Sequence, residues 1–114
     1  MADVREKIPS SQEIRGMIDD YPVDIETMAR LKQVDDPRRR ERALARMIET
    51  ERKVEVLLRG IDMADLSELD QIILDCRMDG MSGVQISRHL CMHFTTISVH
   101  LSDIAEKIHN AMRE

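Results

Sequence analysis

All four histidines of the chain follow residue 88, and two of them flank a cysteine in the segment HLCMH. His89, Cys91 and His93 offer imidazole and thiolate ligands, and Cys76 is a fourth candidate. A tetrahedral zinc site needs four deprotonated ligands that converge on one point. Because alternate residues at a helix end and in a turn point in different directions, these ligands are not expected to converge. The sequence therefore predicts no metal site and no cofactor.

The other reactive residue types stand where helices begin or end. Most serines have the position of a helix cap, and the paired acids Asp19-Asp20 and Asp35-Asp36 are typical of helix termini. No nucleophile–base pair, glycine-rich phosphate loop or carboxylate cluster has catalytic spacing. We therefore do not expect an enzyme.

The composition favours helices throughout. The 114 residues include only four glycines and three prolines, and no alternating β-branched run is present. No apolar stretch approaches the roughly 20 residues that span a bilayer, and no signal-peptide pattern is found. Two cysteines fit a reducing compartment better than a disulfide framework. The expectation is an all-α cytoplasmic protein with no membrane partner.

Capping signals divide the N-terminal part into helices. Residues 1–9 have no periodicity and are expected to fray, after which Ser10 and Glu13 form a capping box. This helix is expected to end before Pro22, and a second one to begin near Asp24. The predicted inner positions of the two helices are Ile14, Met17, Ile18, Tyr21, Ile25, Met28, Leu31 and Val34.

A long central helix is predicted from Pro37 to about Arg59, with Asp36 as its cap and Gly60 as its end. At roughly 34 Å it is too long for one small core unless the preceding helices or a partner chain cover it. Its predicted apolar stripe comprises Leu44, Met47, Ile48, Val54, Leu57 and Leu58. Its expected outward ion pairs are Glu49 with Lys53 and Glu55 with Arg59.

The C-terminal part contains a helix and then a helix pair. The first helix begins at Ser67 and stops at Asp79-Gly80, and residues 82–101 (SGVQISRHLCMHFTTISVHL) predict two short helices across a three-residue turn. The predicted inward residues of the first helix are Leu69, Ile72, Ile73 and Cys76. Those of the helix pair are Ile86, Leu90, Met92, Ile97 and Leu101, and the last helix continues this stripe through Ile104 and Ile108.

In helix order and apolar spacing, residues 67–112 resemble region 4 of bacterial sigma factors and the related phage-encoded sigma-like transcription regulators. The resemblance implies a three-helix sigma region 4-like helix-turn-helix domain at residues 63–114. A helical extension or oligomerisation region at residues 1–62 would precede it. It further implies a phage or prophage transcription regulator that binds double-stranded promoter DNA. The long helix would supply either dimerisation, which gives a homodimer, or a docking surface. His93 stands at the expected cap of the recognition helix, where Thr95 is an alternative cap.

The residues that this resemblance assigns to DNA lie around the second helix of the pair. The expected outer face of that helix comprises Phe94, Thr95, Ser98, Val99 and Ser102, and the expected phosphate contacts are Arg88, His89 and Thr96. The side chains on the outer face can touch thymine methyls or make single hydrogen bonds, but none provides a bidentate arginine–guanine contact. Small polar residues that merely solvate an exposed face are the alternative.

Charge divides the chain unevenly. Residues 64–114 carry four basic and eight acidic residues, a net charge of −4, whereas residues 37–59 carry eight basic residues and four glutamates, a net charge of +4. Phosphate binding depends on basic residues, so the second segment is the better polyanion site. Its candidate phosphate contacts are Arg38, Arg39, Arg40 and Arg42. These arginines could instead pack on the acidic C-terminal part or pair with Asp19, Asp20 and Asp24.

Two further interpretations stay open at this point. An acidic helix-turn-helix can be a protein-interaction module that binds RNA polymerase or a sigma factor, as a mimic or adaptor with little DNA binding of its own. Alternatively, the N-terminal helices can be an oligomerisation bundle for which the C-terminal part is a structural cap.

Overall fold

The structure, a computed structural model, describes residues 7–114, and these residues form five helices and no strand. The helices are α1 (Ser11–Leu31), α2 (Pro37–Met63), α3 (Glu68–Met78), α4 (Gly83–Leu90) and α5 (Phe94–Arg113). The prediction of an all-helical chain is confirmed. Residues 1–6 of the expected frayed segment lie outside the described residues, and residues 7–10 carry no helix.

Local capping starts four of the five helices where the sequence predicts. Asp36 accepts a hydrogen bond from the backbone N–H of Arg38, with Pro37 in the first helical position. Three reciprocal capping boxes are confirmed: Ser10 with Glu13, Ser67 with Asp70, and Ser82 with Gln85. These contacts span at most one helical turn, which is why the sequence alone predicts them.

α1 continues through Pro22, so the predicted break and the second start at Asp24 are wrong. Proline lacks an N–H and clashes inside a helix, which costs about 3 kcal/mol. Contacts from other helices lie on both sides of Pro22 and offset this cost. Asp19 accepts from Arg77 Nε at 3.1 Å, and Asp24 lies 2.9 Å from Lys53 Nζ. Tertiary contacts therefore hold the two halves of α1 in a single helix.

α2 passes through Gly60 and ends at Met63, so its predicted end at Arg59 is wrong. Gly60 is buried, and a Cβ atom placed on it would lie 2.8 Å from Ile108 Cγ2 and 2.8 Å from Met112 Sδ of α5. The glycine therefore allows two helices to approach closely, and it does not cap α2.

One hydrophobic core joins the N-terminal and C-terminal helices. Its buried members are Ile14, Ile18, Leu57, Leu66, Ile73, Leu74, Ile86, Ile97, Leu101, Ile104, Ala105 and Ile108. α1 and α2 thus contribute to the same cluster as α3, α4 and α5, and α1 packs against both α3 and α5. The predicted boundary between residues 62 and 63 does not separate two cores, and the division into domains stays a prediction.

Several apolar residues that the sequence predicts to face inward are exposed. Leu69 and Ile72 of α3 are 38% and 41% exposed, whereas Ile73 and Leu74 are buried. Other exposed members of the predicted stripes are Ile25, Leu44, Ile48 and Leu58. A helix turns by about 100° per residue, and only a narrow part of its circumference meets a neighbouring helix. If the inward face is placed one residue away from its true position, some of the predicted residues therefore point into solvent. Packing, not hydrophobicity alone, selects the inward face.

α1 runs antiparallel to α5. His109 Nδ1 near the end of α5 lies 2.8 Å from the Pro9 carbonyl just before α1, and Arg15 Nη1 donates to the Ser98 carbonyl at 3.1 Å. α2 returns beside α1 as the second arm of a helical hairpin. The N-terminal end of α5 therefore points in the same direction as the distal end of that hairpin, where α1 ends and α2 begins.

The distal end of the hairpin projects from the core. Only Ala43 is buried among residues 32–53, and the molecule measures 49 × 41 × 18 Å along its principal axes. This end carries the arginine-rich segment, which is exposed at Arg38, Arg39, Arg40 and Arg42. The basic and acidic parts of the chain are thus separated in space as well as in sequence.

Candidate nucleic-acid interface

α4 and α5 are joined by a tight turn of three residues, 91–93. Cys91 adopts a left-handed conformation with φ 54° and ψ 44°, which costs a non-glycine residue energy. Ser87 offsets this cost, because its hydroxyl donates to the Met92 carbonyl while its own carbonyl accepts from the Met92 N–H at 3.0 Å. The predicted three-residue turn between the two helices is therefore present, and Cys91 in it has the backbone geometry for which glycine is usually chosen.

α5 begins at Phe94 with His93 in the N-cap position, and no side chain caps it. The alternative cap at Thr95 is therefore wrong. Phe94 is held by its ring against Gly83, where a Cβ atom would lie 2.8 Å from Phe94 Cε2. The first turn of α4 thus supports the first turn of α5, although Phe94 remains 52% exposed.

The first two turns of α5 present an open, uncharged face. Thr95 and Thr96 are exposed and Val99 is 59% exposed, while Ile97 and Leu101 hold the opposite face in the core. Residues three and four apart on a helix are neighbours, so Val99 lies beside both threonines. Four of the predicted contact residues on α5 are therefore available to a partner: Phe94, Thr95, Thr96 and Val99.

Two other predicted contact residues are engaged by α1. Arg15 Nη1 donates to the Ser98 carbonyl at 3.1 Å and to Ser102 Oγ at 2.9 Å, and Ser98 is half-buried. Ser98 and Ser102 therefore lie on the flank of α5 that faces Arg15, although Ser102 is exposed, and their contact with DNA stays a prediction. α1 covers this flank of α5 because its apolar side is buried against the same core. The open face of α5 is therefore confined to its first two turns.

A crevice of about 250 Å³ separates α1 from the start of α5. Asp19 forms ion pairs with Arg77 at 3.1 Å and with Arg15 at 3.4 Å on its walls. Arg77 also donates to the carbonyls of Asp19 and Met81. Because these guanidinium groups already have internal partners, the crevice contributes to the packing of α1 on α3 and α5.

Charge varies around the open face. Arg88 and His89 are exposed at the end of α4, next to the turn that leads into α5. Asp103 and Glu106 are exposed on later turns of α5, beyond Val99. The end of α5 that enters the turn is therefore uncharged with the Arg88 guanidinium nearby, whereas its middle is acidic. Only the N-terminal end suits an anionic partner.

A second basic feature lies on α2. We call Arg38, Arg39, Arg42 and Arg46 the arginine stripe, because their spacing of three or four residues places them along one side of the helix. All four are exposed, and within residues 7–114 no carboxylate lies within 4 Å of any of them. Arg46 is absent from the residues predicted as phosphate contacts, although its i,i+4 spacing from Arg42 is the signal that identifies it.

The acids expected to neutralise these arginines have other partners. Lys53 Nζ lies 2.9 Å from both Asp20 and Asp24, and Asp19 pairs with Arg15 and Arg77. Burial lowers the pKa of Lys53, but its bonds to the two carboxylates outweigh burial and raise that pKa above its usual value. The alternative in which the arginine run pairs with these three aspartates is therefore not found among the described residues.

The expected pairs along α2 are also absent from the described part of the chain. Lys53 turns to α1 and not to Glu49, and Glu55 and Arg59 form no ion pair. A carboxylate pair on another helix holds the ammonium group better than a single exposed glutamate does.

The arginine stripe and α5 share one side of α2. Arg42 and Gly60 are 18 residues apart, which is about five full turns, so they lie on the same side of the helix. Gly60 contacts α5, whereas Arg40 lies on the other flank and lines a crevice with Leu44 and Met47. Helix geometry thus separates Arg40 from the other predicted phosphate contacts.

One charge cluster around a buried carboxylate connects α3 to α5. Asp70 is 3% exposed, accepts a hydrogen bond from Lys107, and lies 3.6 Å from His100 Nδ1. Burial raises the pKa of Asp70, but hydrogen bonds from Lys107 and Ser67 outweigh burial and lower that pKa below its usual value. The hydrogen bond to Asp70 raises the pKa of Lys107. This cluster joins the start of α3 to α5 and therefore has a structural role.

The histidine and cysteine residues considered as metal ligands do not meet in the structure. Within residues 7–114 no group of three or more His, Cys, Asp or Glu side chains is arranged to hold a metal ion. Cys91 is exposed in the turn, and Cys76 is half-buried on α3. Burial and the neighbouring Asp79 and Asp75 raise the pKa of the Cys76 thiol, which opposes formation of a thiolate.

None of the helices in residues 7–114 has the length and hydrophobicity that a membrane crossing requires. Comparisons of the chain with protein-family models, with curated proteins and with solved structures return no match. Functional assignment therefore depends on the geometry of α5 and the arginine stripe.

Proposed function

We propose that the protein is a transcription regulator that binds double-stranded DNA through the N-terminal end of α5. One observation carries the proposal: the open, uncharged start of α5 points toward the same end of the molecule as the arginine stripe. Contacts to base edges specify a sequence, whereas contacts to phosphates supply position and affinity. The first two turns of α5 suit the former role and the arginines suit the latter.

Contacts along the helices support simultaneous use of both surfaces. Phe94 at the start of α5 and Asp19 of α1 line the same crevice, and Lys53 of α2 bonds to Asp20, the neighbour of Asp19. Lys53 and the start of α5 therefore lie at the same height along the axis of the hairpin. At 1.5 Å per residue, Arg46 is about 10 Å and Arg38 about 22 Å beyond that level. The major groove is about 12 Å wide, so the arginine stripe can reach a backbone that borders the groove.

The chemistry of the open face favours modest sequence discrimination. Val99 and the methyl groups of Thr95 and Thr96 can pack on thymine methyls, and the threonine hydroxyls can make single hydrogen bonds. Arg88 and His89 provide phosphate contacts beside the turn. With Asp103 and Glu106 further along α5, the helix contacts DNA by its end and does not lie flat in the groove.

The experiment that tests this proposal is selection of bound duplexes from a random pool, followed by anisotropy titration with the selected duplex. We expect log K to fall with log salt concentration, because the arginine stripe displaces counterions. Replacing Arg42 and Arg46 by alanine is expected to reduce the magnitude of that salt slope by about 2 and to weaken binding to all sequences alike. The matched control is Arg113→Ala, which removes a cation at the far end of α5 and keeps Arg88 beside the turn. This variant should leave the salt slope almost unchanged.

A second variant tests the open face of α5. Thr95→Ala combined with Val99→Ala is expected to weaken the selected duplex about tenfold, with random DNA affected less than twofold, because base contacts carry the discrimination. Because Thr95 and Val99 are both exposed, we expect the variant to fold like the wild type, and far-UV circular dichroism checks this. Equal losses for selected and random DNA would contradict the assignment of this face.

A protein partner is the second candidate function, and a specific observation favours it. Val84, Phe94 and Val99 are 48%, 52% and 59% exposed, and Gly83 brings the first residues of α4 and α5 together. Exposed apolar side chains near a neutral helix end are typical of a protein-binding surface. By the resemblance to sigma region 4, the partner would be RNA polymerase or a sigma factor. Absence of DNA binding at about 50 mM salt, where phosphate contacts are strongest, would favour this candidate.

A further inference from the structure

We propose that two copies of this chain associate through antiparallel packing of α2, along a seam made of Arg40, Leu44, Met47 and Glu51. The occupant of this surface is a second copy because the seam is complementary to itself when reversed. The inference goes beyond DNA binding and does not depend on it.

The seam is an unpartnered stripe on one flank of α2. Its residues follow the spacing i, i+4, i+7 and i+11, which keeps them on one side of a helix. Leu44 is 52% exposed and the adjacent Ile48 is 45% exposed, while Met47 is half-buried. A leucine and an isoleucine left in solvent on the same helix flank gain free energy when another apolar surface covers them.

Reversal of the seam pairs each residue with a suitable partner. When two α2 helices cross in opposite directions about a twofold axis between residues 45 and 46, Arg40 faces Glu51 of the second copy and Leu44 faces Met47. Both contacts then occur twice, as an isologous interface requires. A parallel arrangement would instead place Arg40 against Arg40 and Glu51 against Glu51, which repel.

The charged ends of the seam have no competing partner in the described chain. Within residues 7–114 no carboxylate lies within 4 Å of Arg40, and Glu51 forms no ion pair. A crevice of about 230 Å³ borders the seam between α2 and the end of α1. Its apolar lining residues are Leu31, Val34, Ala43, Leu44 and Met47, and Lys32 and Arg40 complete it. The apolar part of this lining provides a recess into which the second copy's side chains can pack.

The seam and the arginine stripe use different flanks of α2. Ala43 is buried on the side of α2 that faces α1, and Arg42 and Leu44 are its two neighbours in the sequence. Each residue is rotated by about 100° about the helix axis, so Arg42 lies on one flank of that buried side and Leu44 on the other. Association through Leu44 therefore leaves the arginine stripe exposed. The dimer would carry two arginine stripes and two α5 ends.

Sedimentation velocity of the full chain in the absence of DNA tests the inference. From about 1 μM to about 300 μM we expect a shift from the 13.2 kDa monomer to twice that mass, because the exposed apolar residues of the seam are covered only in the dimer. Leu44→Glu is expected to keep the protein monomeric over the whole range. Its matched control, Ile72→Glu on α3, places the same charge at another exposed apolar position and should dimerise like the wild type.

Charge reversal distinguishes the antiparallel pairing from other modes. Arg40→Glu or Glu51→Arg alone should weaken dimerisation about tenfold, and the double variant should recover to within about threefold of the wild type. Circular dichroism spectra that match the wild type verify folding of each variant. A chain that stays monomeric throughout the range, or a dimer that neither Leu44→Glu nor Arg40→Glu weakens, would overturn the proposal while leaving the DNA titration unaffected.

Discussion

Asp70 is the buried charged side chain in the core of the described residues, and its surroundings show how one residue can serve two elements. Its carboxylate caps the backbone N–H of Ser67 at the start of α3 and accepts a hydrogen bond from Lys107 of α5. The Lys107 side chain is 48% exposed whereas Asp70 is buried, so removing Lys107 would leave a buried carboxylate with less compensation. Asp70 is therefore expected to contribute more to the stability of the fold than an exposed acidic residue does.

Asp70→Asn is expected to lower the free energy of unfolding at pH 7 by about 1–3 kcal/mol, because the amide cannot hold the Lys107 ammonium group as a carboxylate does. The pKa of Asp70 is lowered in the folded protein from a reference value of 3.8, so its contribution is present above pH 4 and is lost as the pH falls through the folded-state pKa. Urea unfolding of both proteins between pH 7 and pH 3 measures this. The difference should shrink toward low pH, and equal stability at pH 7 would contradict the assigned role.

At the scale of helices, close approach between elements explains residues that local propensity does not. Gly60 lies inside α2, although glycine costs a helix about 1 kcal/mol relative to alanine. The contact with Ile108 and Met112 of α5 accounts for it. Similarly, Pro22 lies inside α1 because bonds to α2 and α3 hold the helix on both sides of it.

Two glycine substitutions are expected to have opposite signs. Gly60→Ala should destabilise the protein by about 1–3 kcal/mol, because its Cβ would lie 2.8 Å from the stiff, buried Ile108 side chain. Gly16→Ala is the matched control: nothing lies within 4 Å of its Cβ position in α1, so it should stabilise by up to about 1 kcal/mol. Thermal and urea unfolding measure both. Stabilisation by Gly60→Ala would show that α2 and α5 do not pack this closely.

At the scale of the whole molecule, the hairpin of α1 and α2 completes the core of the C-terminal helices and carries two surfaces beyond it. Ile14, Ile18 and Leu57 pack with residues of α3, α4 and α5. The distal part of the hairpin has the arginine stripe on one flank of α2 and the seam on the other flank. Because the hairpin is anchored in the shared core, a change at the seam and a change at the arginine stripe should be separable by mutation.

A fragment of residues 63–114 is expected not to fold cooperatively. It lacks three large buried side chains of the shared core, and removing such groups costs several kcal/mol each, which exceeds the stability of a small domain. Urea titration followed by circular dichroism should show a broad, shallow transition for the fragment and a sharp one for the full chain. A sharp transition for the fragment would instead support an independent C-terminal domain.

Features that depend on residues within one helical turn are predictable from the residue types alone. The capping boxes at Ser10, Ser67 and Ser82 connect a side chain to the backbone three residues away, so their residue types suffice to predict them. The inward stripe of α5 from Ile97 to Ile108 was predictable for a similar reason, since its apolar residues repeat at the helical period over a long stretch. For the shorter α3 the predicted inward face is rotated relative to the buried one, since Leu69 and Ile72 are exposed whereas Leu74 is buried.

The partners of residues that are distant in the sequence depend on how the helices pack in three dimensions. Local patterns could not indicate that Arg15 would cover Ser98 and Ser102, or that Lys53 would take the aspartates expected to pair with the arginine run. The same holds for the continuity of α1 at Pro22. Each outcome depends on how helices cross, and the crossings are set by the shape of the shared core, to which residues from the whole chain contribute.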